Sequence, residues 1–410
     1  MTILRREDHL RLLGSLIAEE MGRARKGAVP PHAPLAWTEA TTLDETGIGA
    51  DSLDKLSLVE RVNEFYNLHR IGSEDFLVIA QSLGEWIDIV EETLRRGVSH
   101  LTFRTSGSTG EPRRIDIPWA ETAQELEALD PILGPIERIC AWAPPHHLYG
   151  FLFSALLPAR RGVAVADHRA SAPSALRKAQ AGDLIVATPF HWARLLDAAG
   201  EARDVGAIGL TSGAPCPAAL WRAASASPLS RMIELYGSTE TGGVGWREAG
   251  DAPFQLLAHW RRAHAEGAEG AKDAEDALIR AGRGAAEAPP DHLRFDAEDR
   301  FTPAGRRDRM VQVGGVNVCL ERTRAAILAH PLIADAAVRP DVSDPDRRLK
   351  AFIVPVAAPL APGALGDLEA HLRRRLEPPA RPASFTTGAA LPRNDSGKAE
   401  DWEIRPIDAS

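Results

Sequence analysis

Apolar residues recur at three- and four-residue intervals through Leu10, Leu13, Leu16 and Ile17, a spacing that lines one face of a helix over residues 5–23. The same period returns over 53–66 and 83–95 after a Pro-containing loop, so residues 1–97 read as a small helical unit. From residue 101 the pattern changes to short apolar runs, GVAVAD, DLIVATP, VGAIGLTSG and RMIELYGSTE, separated by amphipathic stretches such as FHWARLLDAA and PAALWRAASA. Such alternation predicts an α/β unit with a largely parallel sheet. Ligands of such sheets sit at the C-terminal strand ends, where residues 211–215 (TSGAP) and 236–240 (YGSTE) fall. Residues 261–290, rich in Ala, Gly and Glu with weak periodicity, read as a partly mobile insertion. From residue 306 a smaller α+β unit follows: a hairpin at Gly314-Gly315, a helix over 320–329, strands near Ala336 and Ala351, and a helix over 365–376. The expected fold class is multidomain α/β: a helical unit at 1–97, an α/β core at 98–305 and a small α+β domain at 306–410.

Apolar content of 44% and charge of 26% are those of a soluble globular chain. A net charge of −9 without a basic patch argues against a nucleic-acid partner. No apolar run reaches membrane-spanning length, and the expected location is cytoplasmic. Cys140, Cys216 and Cys319 are far apart, fit no metal spacing and read as reduced core residues. Only six of the 48 basic residues are lysines, so Lys398, in the polar loop Ser396-Gly397-Lys398, stands out in a chain that otherwise uses arginine.

The densest chemical signal is Thr105-Ser106-Gly107-Ser108-Thr109-Gly110-Glu111-Pro112-Arg113. Glycines let successive backbone N–H groups turn toward one anion, and the hydroxyls add donors, so such a loop can hold phosphates. The loop resembles the nucleotide-phosphate loop of the adenylate-forming superfamily, which includes acyl-CoA synthetases, aryl-acid ligases and peptide adenylation domains. Further motifs follow in that superfamily's order. LYGSTET resembles the segment in which a tyrosine lies against adenine, a threonine reaches the α-phosphate and a glutamate holds Mg²⁺; these would be Tyr236, Thr239 and Glu240, with Gly237 between them. Gly213-Ala214 resembles the stretch on the other adenine face. PPHHLYG resembles the P-x-x-H-x-x-G stretch, which implies His147 near the carboxylate substrate and Gly150 at a close approach of the chain, although His146 leaves the register open. The resemblance further implies Asp291 on the ribose, Arg306 as a phosphate or ribose ligand, Asp308 as a hinge, and Lys398 bridging the carboxylate and the α-phosphate. Arg322-Thr323-Arg324 departs from the family's acidic E-I-E, and Pro289-Pro290 replaces the Thr-Gly before its aspartate.

Gly47-Ile48-Gly49-Ala50-Asp51-Ser52-Leu53 resembles the acyl carrier proteins, which implies a carrier-like domain with phosphopantetheine on Ser52; Asp51 or Ser52 serving only as a helix cap is the plainer alternative. The joint expectation is an ATP- and Mg²⁺-dependent ligase of short form. It would activate an aryl or fatty carboxylic acid as its adenylate and pass the acyl group to a phosphopantetheine thiol, on an acyl carrier protein or on Ser52. Free CoA as acceptor and a non-catalytic nucleotide- or carrier-binding scaffold are the alternatives. Phe151 and Trp246 are candidate walls of the acid pocket.

Overall fold

The computed structural model describes residues 4–24, 36–105, 113–169, 171–199, 205–227, 229–263, 276–306, 310–344, 346–357, 360–361, 363–392 and 402–404. It divides into two compact units. The first comprises Met1–Arg104, Arg114–Pro289 and Leu293–Pro303; the second comprises Thr105–Arg113, Pro290–His292 and Ala304–Ser410.

The N-terminal pattern becomes helices α1 (Arg6–Ala24), α2 (Ser52–Tyr66), α3 (Glu74–Ile79) and α4 (Leu83–Arg95). α2 starts at Asp51, whose carboxylate accepts the N–H groups of Leu53 and Asp54, both at 2.8 Å, while Asp54 accepts the N–H of Asp51 at 3.2 Å. This reciprocal cap satisfies donors that a first turn leaves without partners. Asn67 ends the helix in the left-handed conformation, φ 54°, and its side-chain amide donates to the His100 carbonyl and the Thr102 hydroxyl of β1 (His100–Thr105).

The apolar face of residues 1–97 is shared with the segments that follow, and both belong to the first compact unit. Leu12, Leu13, Leu16, Ile17 and Phe65 lie in one buried cluster with Phe103, Phe151, Leu156 and Phe301. Phe65 meets Phe103 edge-on at 5.2 Å, and Phe151 packs in turn on Phe103 at 5.6 Å and on Trp119 at 5.8 Å. Phe151 is thus a core residue rather than a pocket wall. Charge crosses the same seam where Arg104 of β1 pairs with Glu20 and Glu64, while Arg61 of α2, 1% exposed, reaches Glu19 of α1 at 2.9 Å within the helical unit. Buried ions need such partners, because an unpaired one costs several kcal/mol, about 3–5 by mutation.

After β2 (Arg113–Pro118) and α5 (Trp119–Leu133) come β3 (Arg138–Ala141), β4 (Ala164–Asp167), β5 (Asp183–Ala187), β6 (Ala207–Thr211), β7 (Leu229–Ser238), β8 (Gly242–Arg247) and β9 (Phe254–Leu256). With β13 (Asp291–Ala297) and β14 (Arg300–Arg306) they form a nine-stranded sheet in the order β13-β14-β9-β8-β7-β6-β5-β3-β4. Strands β3 to β7 run parallel, as the alternating pattern predicts, and β8, β9 and β14 extend the sheet antiparallel from β7. The stretch expected as an insertion contributes a three-stranded sheet, β10 (Trp260–Arg262), β11 (Leu278–Arg280) and β12 (Ala286–Glu287); residues 264–275 lie outside the described set.

In the second unit the hairpin Met310–Val313 to Val316–Cys319 turns on Gly314 and Gly315, both at positive φ, 56° and 83°, as a two-residue hairpin turn requires. Helices Leu320–Leu328 and Ala364–Arg373 cover a sheet in which Ile333–Pro340 pairs antiparallel with Leu349–Pro355 and the latter parallel with Ser384–Thr387. Lys350, one of the six lysines, is buried and donates to the Trp402 carbonyl at 2.7 Å. The E-I-E replacement is structural: Thr323 donates to the Ala380 carbonyl, and Arg324 to Ala336 and Asp335. Cys140 and Cys216 are buried thiols and Cys319 is half-buried. Among the described residues no helix is long and apolar enough to cross a membrane.

Candidate functional site

The turn between β7 and β8 carries Thr239, Glu240 and Thr241. Gly237 makes it possible, since a Cβ there would fall 2.2 Å from the Gly242 carbonyl oxygen. Register shifts between Tyr236 and Gly237, so the strand kinks as it enters the turn. Ser238 and Thr241 close it by exchange: the Ser238 N–H donates to Thr241 Oγ1 and the Thr241 N–H to Ser238 Oγ, each at 3.2 Å. Glu240 is left exposed at the tip and Thr239 half-buried beside it. Tyr236 is half-buried, packed on Phe254 at 5.5 Å and Phe301 at 5.3 Å.

The neighbouring strand β6 delivers the second predicted segment to the same edge. Past Thr211, the Ser212 hydroxyl donates to the Leu235 carbonyl at 2.9 Å and the Cys216 N–H to Glu234 at 2.8 Å, so the Gly213-Ala214 bend is pinned beside Tyr236. Gly213 has φ +87°, a conformation that costs other residues roughly 1–2 kcal/mol. Burial raises the Glu234 pKa, and Arg247 at 2.7 Å opposes the rise.

The PPHHLYG stretch separates its two histidines. His146 is buried, with Nδ1 2.8 Å from Ser15 Oγ, and burial with its cationic neighbours holds its pKa well below the usual histidine range. His147 is exposed at the start of the helix Leu148–Phe151. Gly150 stands where a Cβ would lie 1.9 Å from the Pro144 carbonyl oxygen, the close approach expected of it.

Beside the turn lies a shallow pocket lined by Thr239, Glu240 and Thr241, by Glu121 and Glu125 of α5, and by Arg280 of β11. Its carboxylates and hydroxyls are donors of the kind hard divalent cations take, set beside Arg280 and Arg283, and Glu240 and Asp116 are its exposed carboxylates. Glu125 and Arg280 escaped the sequence reading, yet a signal for Glu125 was present. It shares the buried face of α5 with Thr122, Leu126, Leu129 and Leu133, where an acid is out of place. Burial pushes its pKa up to about 7, against the pull of Arg280 and the Gly243 N–H. Trp246 is half-buried in β8, opposite Leu235.

Asp291 opens β13, half-buried, and belongs to the second unit. Thr105 and Arg306 end β1 and β14. Ser106, Gly107, Ser108, Thr109, Gly110, Asp308 and Lys398 lie outside the described residues. Ser52 is exposed as the first residue of α2, and the Asp51-Ser52-Leu53 signature is accounted for by the cap that Asp51 makes.

The chain's relatives agree with this architecture. The AMP-binding enzyme family matches residues 101–267 and the AMP-binding enzyme C-terminal domain residues 325–398. A 4-coumarate–CoA ligase of Cereibacter sphaeroides is 39% identical over 423 residues, covering 98% of this chain and 97% of that protein. One of Rhodobacter capsulatus is 40% identical, covering 96% and 99%. Among solved structures, a malonyl-CoA ligase with methylmalonyl-CoA and AMP bound aligns with a TM-score of 0.56 at 25% identity over 72% of each chain. An amide bond synthetase of Marinactinospora thermotolerans, at 15% identity over 97% and 93%, shares the fold with a TM-score of 0.59. The chain belongs to the AMP-binding enzymes, as an adenylate-forming acid–thiol ligase. Because the alignments run nearly end to end, the N-terminal helices align with those ligases rather than standing apart as an added carrier.

Proposed function

We propose that this chain activates an aryl carboxylic acid of the 4-coumarate kind with ATP and transfers it to the thiol of CoA. The observation that carries the reading is the near end-to-end alignment, at 39% and 40% identity, with ligases of that name, helices α1 to α4 included. It favours free CoA over a carrier protein or Ser52 as acceptor. A carboxylate is a poor electrophile, and adenylation corrects this. One substrate oxygen attacks the α-phosphorus, the bond to pyrophosphate breaks, and the acyl carbon then carries AMP as leaving group. The CoA thiolate next attacks that carbon, forming the thioester and releasing AMP.

Within this reading Glu240, exposed on its turn, would hold the Mg²⁺ that accompanies ATP and screens phosphate charge. Tyr236 offers adenine an apolar face, while Gly213 and Ala214 bound the other side. Thr239 donates to the α-phosphate and His147 faces the carboxylate. Thr105 to Gly110 cradle the outer phosphates, and Asp291 and Arg306 take the ribose. Lys398 bridges carboxylate and α-phosphate, a role suited to a compact ammonium on a flexible stem, with the change of domain orientation centred on Asp308. The test is incubation with ATP, Mg²⁺, a panel of aryl and fatty acids, and either CoA or a phosphopantetheinylated carrier. Aryl-CoA, AMP and pyrophosphate in equal amounts are expected. Thioester on the carrier but none on CoA overturns the reading.

A further inference from the structure

The turn that carries Glu240 does not hold itself. Arg280, 3% exposed on β11, donates from Nη2 to the Thr241 carbonyl at 2.6 Å, the residue directly after Glu240. Its guanidinium stacks on Trp260 at 4.6 Å, and Trp260 donates from Nε1 to the Gly243 carbonyl at 2.8 Å. The Glu125 carboxylate lies against the same backbone, beside the guanidinium: a Cβ at Gly242 would sit 2.4 Å from a Glu125 oxygen and 3.0 Å from Arg280 Nη2, and one at Gly243 2.5 Å from the other Glu125 oxygen. Arg280 is itself fixed from α5, by the Gln124 side chain at 3.3 Å and by Glu121 at 3.7 Å. Three elements thus converge on three residues of backbone, with two buried ionisable side chains in the packing. Their cost is not explained by stability alone, since apolar residues of similar size serve a core as well or better.

We propose that Arg280 is a positioning residue for adenylation, fixing the Thr239–Thr241 turn through the Thr241 carbonyl, with Glu125 packed beside it, so that Glu240 presents its carboxylate to the divalent cation bound with ATP. The proposal rests on the reading of Glu240 given above. It makes a prediction opposite in sign to simple electrostatics. Arg280 is a cation lining the pocket, and removing its charge would by itself tighten binding of another cation. A positioning role requires the reverse, because a carboxylate on a loosened turn must be ordered anew at each binding event.

The test uses the full chain with Mn²⁺ as probe, its affinity read by electron paramagnetic resonance in the presence of a non-hydrolysable ATP analogue. Affinity for the analogue without metal is measured alongside. Groups that orient a metal ligand typically change metal affinity about 10- to 100-fold, so R280M is expected to weaken Mn²⁺ by that range and leave metal-free nucleotide affinity unchanged. R280Q decides in its place if R280M does not fold, with the same expectation. Tighter or unaltered Mn²⁺ binding overturns the proposal, as does an equal loss of both affinities, which is the mark of general loosening. E240A separates the two layers: if it weakens Mn²⁺ while the Arg280 variants do not, the proposal alone falls. If E240A binds Mn²⁺ like the wild type, the assignment of Glu240 falls and the proposal with it.

Discussion

The Ser15 hydroxyl lies 2.8 Å from Nδ1 of His146, joining the first helix of the chain to the loop that presents His147. Arg169 donates to the same hydroxyl at 2.8 Å, so Ser15 is the meeting point of three segments. S15A leaves the buried His146 and the half-buried Arg169 without this partner and is expected to lower stability by about 1–3 kcal/mol. The urea midpoint reads this loss. The same connection predicts that residues 98–410 produced alone do not fold, since Phe103 and Phe151 lose Phe65 and the α1 leucines. A truncated chain with a cooperative melt would restore the helical unit as a separate domain.

Much of this was legible in sequence because it is periodic or stereochemical. The α4 helix falls on its expected residues, the parallel strands follow the apolar runs, and Gly150 stands at the close approach that its motif implies. What was not legible depends on distant pairing. Whether α1 to α4 bury their apolar faces on one another or on β1 and Phe151 is decided by contacts of long sequence separation, which period alone does not encode. Asp51-Ser52-Leu53 is ambiguous for a related reason: a capped helix start and a modification site share their residue types. Arg280 was hidden because β11 follows a stretch of weak periodicity, and nothing local marks an arginine that is satisfied by residues near positions 121 and 241.

Acid should weaken the first unit. His9 is buried, 3.3 Å from the Tyr66 hydroxyl, and burial lowers its pKa to about 4; His259 is lowered to about 3 by burial and Arg280. Groups whose folded pKa is depressed favour the neutral form, so this stability is complete above the ordinary value of 6.5 and is lost as pH falls toward 4. For His9 a shift of this size corresponds to about 3 kcal/mol. Denaturation at pH 7.5 and pH 5 is expected to show the drop, and H9Q to reduce it. An equal drop in H9Q would remove His9 from the account.

Glu125 carries the opposite sign. Its folded pKa, raised by burial to about 7, lies above the ordinary 4.5, so the folded state binds the proton more tightly. The stabilisation is present below about pH 4.5 and disappears as pH rises through 7. E125Q cannot ionise, and its stability relative to wild type should therefore grow between pH 5 and pH 8, by about 1–3 kcal/mol. A variant that loses more at pH 8 than at pH 5 would show that ionised Glu125 is the favoured form.

Two glycines near the pocket should differ in kind. At Gly237 an added methyl meets backbone, the Gly242 oxygen at 2.2 Å and the Gly243 Cα at 2.9 Å, and neither moves without opening the β7–β8 pairing. At Gly213 the nearest atom is a methyl of Thr188 at 3.9 Å, and the objection is only conformational, φ +87°. G213A is therefore expected to cost about 1–2 kcal/mol, the penalty of a left-handed residue, with nucleotide binding reduced in modest proportion. G237A forces the strand itself to shift, a strain of about 1–3 kcal/mol or more, and displaces the turn bearing Glu240. Its adenylation activity should fall far more than its melting temperature suggests when the two variants are compared side by side. Equal losses of activity per unit of lost stability in both would mean that the kink at Gly237 serves packing and not the placement of Glu240.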